Sequence, residues 1–234
     1  SFRLKNEDEE FDSASPTLLP NDAGDVLPLL AYLNSSEVRS LVTVLNPTIN
    51  TQVANVLELP APNWDPPRKA AMAQLAGDLV AHAKREWQEH ETADGFIGSP
   101  LTADGDGSLV RKLDRHISAG EEREASQLRL AEQIDAIVGP LLDTGLARAT
   151  SSDLVMERQN ETDLVAELVS YALGCMFGRY SLDEPGLILA DQGATVQDYF
   201  AKVPSPTFSP DKDNVIPLVD GDWFEDDIVA RFRT

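Results

Sequence analysis

Glu167-Leu-Val-Ser-Tyr-Ala-Leu-Gly-Cys-Met-Phe-Gly-Arg-Tyr-Ser-Leu-Asp183 decides the reading of this chain. Leu168, Val169, Ala172 and Met176, with Leu164 and Val165 upstream, recur at helical spacing and predict a helix over 160–177 with its apolar side toward a core. Asn160 or Thr162 is placed to cap its start, and Gly178 is a natural stop before the abrupt Arg-Tyr-Ser-Leu-Asp turn. Cys175 falls inside the apolar run, where an inert buried thiol is the default. Tyr171, Phe177 and Tyr180 read as core aromatics, because base stacking would call for surrounding positive charge.

Upstream, Leu29, Leu30, Leu33, Val38, Leu41, Val42 and Leu45 predict helix over 25–45, with a break and a cap near Asn34-Ser-Ser36. Pro47 closes it, since the residue before a proline is pushed away from helical angles. Residues 50–59 read as extended or irregular, and Ser1-Phe-Arg-Leu4 as a short strand. The prolines at 60, 62, 66 and 67 mark a boundary, with Pro67 as a first helical residue. Beyond it, Met72, Leu75, Leu79, Val80, Ala83 and Trp87 form one face of a predicted helix over 68–91. Residues 92–108 read as a loop. A second long helix is expected from Glu121 to about Leu142, ended or kinked near Val138 by Gly139-Pro140.

Downstream, residues 183–227 hold eleven Asp and Glu against Lys202 and Lys212, with prolines at 204, 206, 210 and 217. This predicts a loop-like path over another surface and a short final helix from Trp223. The fold class expected is mainly α with a small β contribution near the N-terminus. Three segments are expected along it, 1–62, 63–159 and 160–234.

At 234 residues with 42% hydrophobic content, the chain can bury a real core. Its 19 Lys+Arg against 40 Asp+Glu give a net charge of −21, which disfavours broad wrapping of a nucleic acid, because phosphate affinity comes from cations that displace counterions. The single Cys175 cannot form an intrachain disulfide, and no apolar run approaches the roughly 20 residues that span a bilayer. A reducing cytoplasm fits, and no membrane partner is expected. Ser1-Phe-Arg-Leu-Lys5 followed by an acidic block is not a signal peptide, and the absent initiator Met suits a piece of a longer protein.

The stretch 167–183, continuing into Pro185-Gly-Leu-Ile-Leu-Ala190, resembles the segment that follows the catalytic domain in PglX-type adenine-specific DNA methyltransferases of BREX phage-defence systems. Tyr32-Leu-Asn-Ser-Ser36, Leu45-Asn-Pro-Thr-Ile-Asn-Thr-Gln-Val53 and Leu57-Glu-Leu-Pro60 are similar to the end of the target-recognition region in that family. The resemblance touches 1–62 and 160–231, more loosely 64–96, and departs most over 98–150. It implies a parent that methylates adenine at N6 in double-stranded DNA with S-adenosylmethionine and acts with other BREX proteins. Within this segment no cofactor site is expected, and 63–159 becomes a helical spacer behind a target-recognition end.

An adenine-N6 methyltransferase needs a Gly-rich cofactor loop and an Asn-Pro-Pro-aromatic tetrapeptide for the flipped base, and neither is written here. In Asn46-Pro47-Thr48-Ile49, Thr48 replaces the second proline and Ile49 the aromatic. By the resemblance, Asn46, Thr48, Asn50 and Gln52 instead lie on a loop near DNA, able to bond bases or phosphates. The plainer reading makes Asn46 and Asn50 turn residues that bond their own backbone. Arg111, Lys112 and Arg115 follow a Gly-rich loop and are first choice for a phosphate, against the plain alternative of a solvated helix face. Arg68-Lys69 and Lys84-Arg85 read as helix-face charges balancing nearby acids.

No metal site is expected. Asp104-Gly-Asp106-Gly-Ser108 has the look of a calcium loop, but Leu109 stands where glycine belongs and Arg115 where a twelfth-position Glu belongs. His82, His90 and His116 lack ligand spacing. No Gly-x-Ser-x-Gly elbow is present, so the segment by itself is not expected to be an enzyme. The competing reading is a helical binding module whose acidic tail, 211–227, docks a basic protein partner without touching DNA.

Overall fold

The computed structural model describes residues 1–5, 17–46, 52–102, 107–142, 144–146, 159–221 and 223–233. These form α1 (Val26–Asn34), α2 (Ser36–Leu45), α3 (Val53–Leu57), α4 (Pro66–Trp87), α5 (Leu109–Leu142), α6 (Glu161–Met176), α7 (Val196–Lys202) and α8 (Ile228–Arg233). The mainly α fold is as expected, and no strand occurs among the described residues. In place of a strand at 1–4, Phe2 N–H donates to Asn34 Oδ1 (2.8 Å) while Asn34 Nδ2 donates to the Phe2 carbonyl (2.9 Å), so one side-chain amide takes the place of a ladder partner. The chain divides into two compact units, Ser1–Lys84 with Gly120–Arg158, and Arg85–Ala119 with Gln159–Thr234.

In the first unit, the expected break falls at Ser35, extended at ψ 151°. Its Oγ donates to the Tyr32 carbonyl at 2.7 Å, the end of α1, and accepts from Val38 N–H at 3.5 Å, the start of α2. One hydroxyl therefore serves both helix ends. The next amide, Ser36 N–H, donates to the buried Asp135 carboxylate of α5 at 2.8 Å, where an anion also meets the positive end of α2. Ala31, Tyr32, Leu33, Val38, Met72, Leu75, Ala76, Ile134 and Val138 form the core. Tyr32 lies edge-on to Trp64 and donates to the Pro60 carbonyl at 2.6 Å, so the proline cluster is tied down by a buried phenol.

Several boundaries differ from the sequence expectation. Residues 53–57 are helical, because Asn55 accepts from the Gln52 amide (3.0 Å) and caps a turn where extended chain was read. α4 starts one residue early, at Pro66, with Asp65 accepting from Arg68 N–H (2.8 Å); its buried face is Met72, Leu75 and Ala76, while Ala83 and Trp87 are exposed. α5 starts at Leu109, twelve residues ahead of Glu121, and carries Pro140 in its last turn.

The second unit is organised around α6. Asn160 accepts from Asp163 N–H (3.0 Å) as its N-cap, worth about 1 kcal/mol. Leu164, Leu168, Tyr171 and Cys175 make one buried seam, whereas Val165 and Val169, expected inside, face out. All four final carbonyls of α6, which a helix leaves orphaned, find donors. Phe177 N–H takes Leu173 (3.1 Å), Arg179 N–H takes Gly174 (2.8 Å), Gly178 N–H takes Cys175 (3.1 Å) and Asp211 N–H takes Met176 (2.7 Å). Gly178, at φ 73°, supplies the left-handed residue of this Schellman turn. The chain then turns back so that Tyr180 lies over Gly174, where a Cβ would fall 2.8 Å from the ring Cε2.

The tail, expected as loop, contains α7, capped by Thr195 and Asp198, and α8 begins at Ile228, five residues after Trp223. Its acids are partly structural. Asp183 accepts from the Thr207 amide (2.8 Å) and hydroxyl, Asp198 from the Thr195 amide and hydroxyl (both 2.7 Å), and Asp211 from Asp213 N–H (3.0 Å). These bonds hold the Asp183 and Asp198 carboxyls below the ordinary carboxylate value. Burial opposes the same effect at Asp211, but the backbone N–H bonds and Arg231 outweigh it.

Gly174→Ala is expected to destabilise the chain by about 2 kcal/mol, since the added methyl must displace a fully buried ring, against the slight gain in helix propensity that alanine ordinarily brings. Chemical denaturation of both proteins measures the difference.

Candidate functional site

Asn46 is the C-cap residue of α2, its N–H donating to the Val42 carbonyl at 2.8 Å. Gln52 is the N-cap residue of α3. Between them, Thr48 and Asn50 lie outside the described residues. One side chain joins Asn46 to Gln52, since Asn55 Oδ1 accepts both Asn46 Nδ2–H (3.2 Å) and Gln52 N–H (3.0 Å). The sequence signal for Asn55 is an amide three residues after a capping position. The Gln52 side chain is exposed, and exposed Val44, Val53 and Leu57 lie close by in the chain. The group offers amides that can donate and accept, which suits base edges or phosphate oxygens chemically.

Arg111, Lys112 and Arg115 all lie in the first two turns of α5, with Arg111 and Arg115 exposed. They belong to the second unit, and residues 46–52 to the first. Of the other basic clusters, Arg68 pairs with Asp65 (3.4 Å) and Lys69 with Asp25 (2.6 Å), the acid balance expected of them, while Lys84 and Arg85 are exposed. Part of the loop read against calcium, 103–106, lies outside the described residues, and among those described no group of His, Cys, Asp and Glu has the arrangement of a metal site.

The polar cluster of the second unit was not legible beforehand. Glu91 accepts from Ser170 Oγ–H (2.6 Å) and Tyr180 OH (3.0 Å). His90 Nδ1 lies 3.0 Å from Glu167, and His116 Nε2 lies 3.6 Å from Glu89. The turn 89–91 is thus bonded to α5 and α6 by three consecutive side chains, so two of the histidines read as solvated are half-buried partners of carboxylates. Beneath them Phe96 meets Tyr171 and Tyr180 edge-on at 5.9 and 5.4 Å, and those two tyrosines stack at 5.2 Å. Tyr171 OH donates to the Ser181 carbonyl at 2.9 Å. Tyr171 and Tyr180 are core residues as expected, while Phe177 is exposed. The Glu91 carboxylate is taken up by two hydroxyls, and burial pushes the Cys175 thiol up to about 11, away from the reactive thiolate.

Burial first, and then the bonded Glu91 carboxylate, pushes the Tyr180 phenol up to about 12, and burial raises Tyr171 as well. A group raised in the folded state holds its proton more tightly there than in the unfolded chain. Its stabilisation is complete below the ordinary values of 9.0 for Cys175 and 10.0 for Tyr180, and is lost as pH climbs through about 11 and about 12. Stability is therefore expected to decline steadily between those limits in alkali. Glu91→Gln should lower the titration midpoint of Tyr180, read as tyrosinate absorbance, because it removes the facing negative charge.

No family model matches the chain. It is similar to the adenine-specific methyltransferase BrxX of Escherichia coli O9:H4 (strain HS), 25% identical over 232 residues, which cover 91% of this chain and 19% of that protein. The adenine-specific methyltransferase PglX of Lacticaseibacillus casei (strain Zhang) is 27% identical over 233 residues, 95% of this chain and 19% of that protein. The resemblance to PglX-type methyltransferases drawn from the residues is borne out, and this chain spans about a fifth of the length of these relatives. A cofactor cradle of strand and Gly-rich loop, as S-adenosylmethionine would require in such an enzyme, is not found among the described residues, which hold no strand.

Proposed function

We propose that this chain is a non-catalytic segment of a BREX adenine-N6 DNA methyltransferase and contributes to target recognition and to assembly with other defence proteins. The observation that carries the proposal is the similarity to two adenine-specific methyltransferases across more than nine-tenths of the chain, in a sequence that lacks the catalytic tetrapeptide. On this reading, S-adenosylmethionine and the reacting adenine are held elsewhere in the parent, in the cytoplasm. Residues 1–62 are the end of the target-recognition region, 63–159 a helical spacer and 160–234 a helix with an acidic tail.

Asn46, Thr48, Asn50 and Gln52 then meet double-stranded DNA, with Arg111, Lys112 and Arg115 available to phosphates. A net charge of −21 confines such contact to small areas, so specificity rests on a few amides and not on a basic groove. Asn55 is a positioning residue here, since its oxygen joins Asn46 to Gln52. The docking reading also has support, because Glu184, Asp191, Asp220, Glu225 and Asp226 are exposed, which suits a basic protein partner.

Replacing Asn46, Asn50 and Gln52 with alanine together in the full-length methyltransferase should reduce or redirect site methylation, mapped by sequencing of modified DNA. Binding of S-adenosylmethionine, measured by calorimetry, should be unchanged. Normal methylation at an equal protein level would remove the recognition role.

A further inference from the structure

In the second unit, the loop whose described residues are 217–221 and 223–228 is fastened at its ends by Ile228 N–H donating to the Pro217 carbonyl at 2.9 Å. The base of the loop is anchored twice more. Buried Asp227 accepts from Ala230 N–H (2.8 Å) at the start of α8, and Arg231 donates to the Ser209 carbonyl (2.9 Å) and pairs with Asp211 (3.6 Å). Within it Gly221 takes a positive φ of 100°, Trp223 N–H donates to the Gly221 carbonyl (2.9 Å), and the indole Nε1–H donates to the Asp220 carbonyl (3.0 Å). The indole is held by its own backbone and not by a core.

Trp223 is 78% exposed, Leu218 76% and Phe224 53%. Lone apolar residues on a surface need no explanation, but three large exposed ones on one fastened loop offer apolar area of the kind that partners cover. Asp220, Glu225 and Asp226 are exposed on the same loop, and residues 213–230 contain no Lys or Arg. We infer that this loop is a docking surface for a separate protein that offers an apolar pocket rimmed by Lys and Arg, with Trp223 as the anchor. The inference rests on the docking part of the proposed function and specifies its contact. Charge selects the occupant. DNA or an anionic membrane would bring phosphates against three carboxylates, and a second copy of a chain at −21 would be repelled in the same way. A cationic rim gains from the acids, and a rigid aromatic in a desolvated pocket is the usual centre of such an interface.

The test uses the full-length protein and a synthetic amphipathic peptide of alternating Leu and Lys, with Leu/Ser and Leu/Glu peptides as counterparts. Hydroxyl-radical footprinting reads oxidation at Trp223 and Phe224 individually. Both should react readily in the free protein and be protected by the Leu/Lys peptide, less at higher salt. Trp223→Ala should weaken binding about tenfold or more, with partial recovery in Trp223→Phe, and should leave the melting temperature unchanged because the indole is exposed. The combined Asp220→Asn, Glu225→Gln and Asp226→Asn variant should slow association. Binding of the Leu/Lys peptide that is indifferent to Trp223→Ala would overturn the anchor while sparing the docking reading, and no binding would overturn both. Equal protection by the Leu/Glu peptide, by anionic vesicles or by self-association would overturn the charge assignment. Protection in the free protein would show that the parent's own remainder covers the loop, which also overturns it.

Discussion

The end of α6 is the constraint on which the second unit depends. A helix that stops inside a protein exposes its last carbonyls to a medium where each unbonded group costs about 1–3 kcal/mol. Here three of the four are answered within the turn through Gly178, and the fourth by Asp211, thirty-five residues beyond Met176. That last bond requires the intervening chain to return. Ile188 N–H on the Arg179 carbonyl (2.9 Å) and Lys202 Nζ on the Ile188 carbonyl (2.6 Å) fix the route, and Ile188, Tyr199 and Val203 make a small core along it. An irregular tail is thereby ordered by backbone demand more than by apolar area. Gly174 and Gly178 are both required, the first so that Tyr180 can close over the helix and the second for its left-handed backbone.

The similarity to methyltransferases and this turn meet in the same residues. Glu167, Ser170, Tyr171, Gly174, Gly178, Tyr180, Ser181 and Asp183 all belong to the stretch that first resembled the family, and each has a structural duty. Glu167 pairs with His90, Ser170 and Tyr180 bond Glu91, Tyr171 bonds the Ser181 carbonyl, and Asp183 bonds Thr207. A stretch that looks like a signature is in this case a folding element. The proposed contacts are assigned instead to residues outside it.

Local rules were legible in the sequence where one residue type settles the backbone. Ser35 within the expected break at 34–36, Asn160 as one of the two expected caps and Gly178 as a stop follow from hydrogen-bonding chemistry over a few residues. The first turns of α5 were hidden because 109–120 mixes charged and apolar residues and ends in a glycine, and Leu113 is buried with Leu101 from the preceding loop and with Leu164 and Leu168 from far along the chain. Val165 and Val169 fit the helical period as well as Leu164 and Leu168, so periodicity alone could not choose the seam. The tail was misread for a different reason: its aspartates count as solvating charge in composition, yet four of them cap turns and helices. At the candidate loop, Asn46 and Gln52 were named by resemblance; the bond of Asn55 to the Gln52 amide had a capping signal in the sequence, whereas its bond to Asn46, nine residues back, had none.

Amide hydrogen exchange, resolved residue by residue, tests the role of the α6 end most directly. The N–H groups of Arg179, Ile188 and Asp211 lie outside regular structure, yet they should exchange with the same opening free energy as the core amides of α6, since all are released by one event. Exchange of these three at the rate of ordinary surface loops, with α6 still protected, would contradict the claim that the helix end orders the tail.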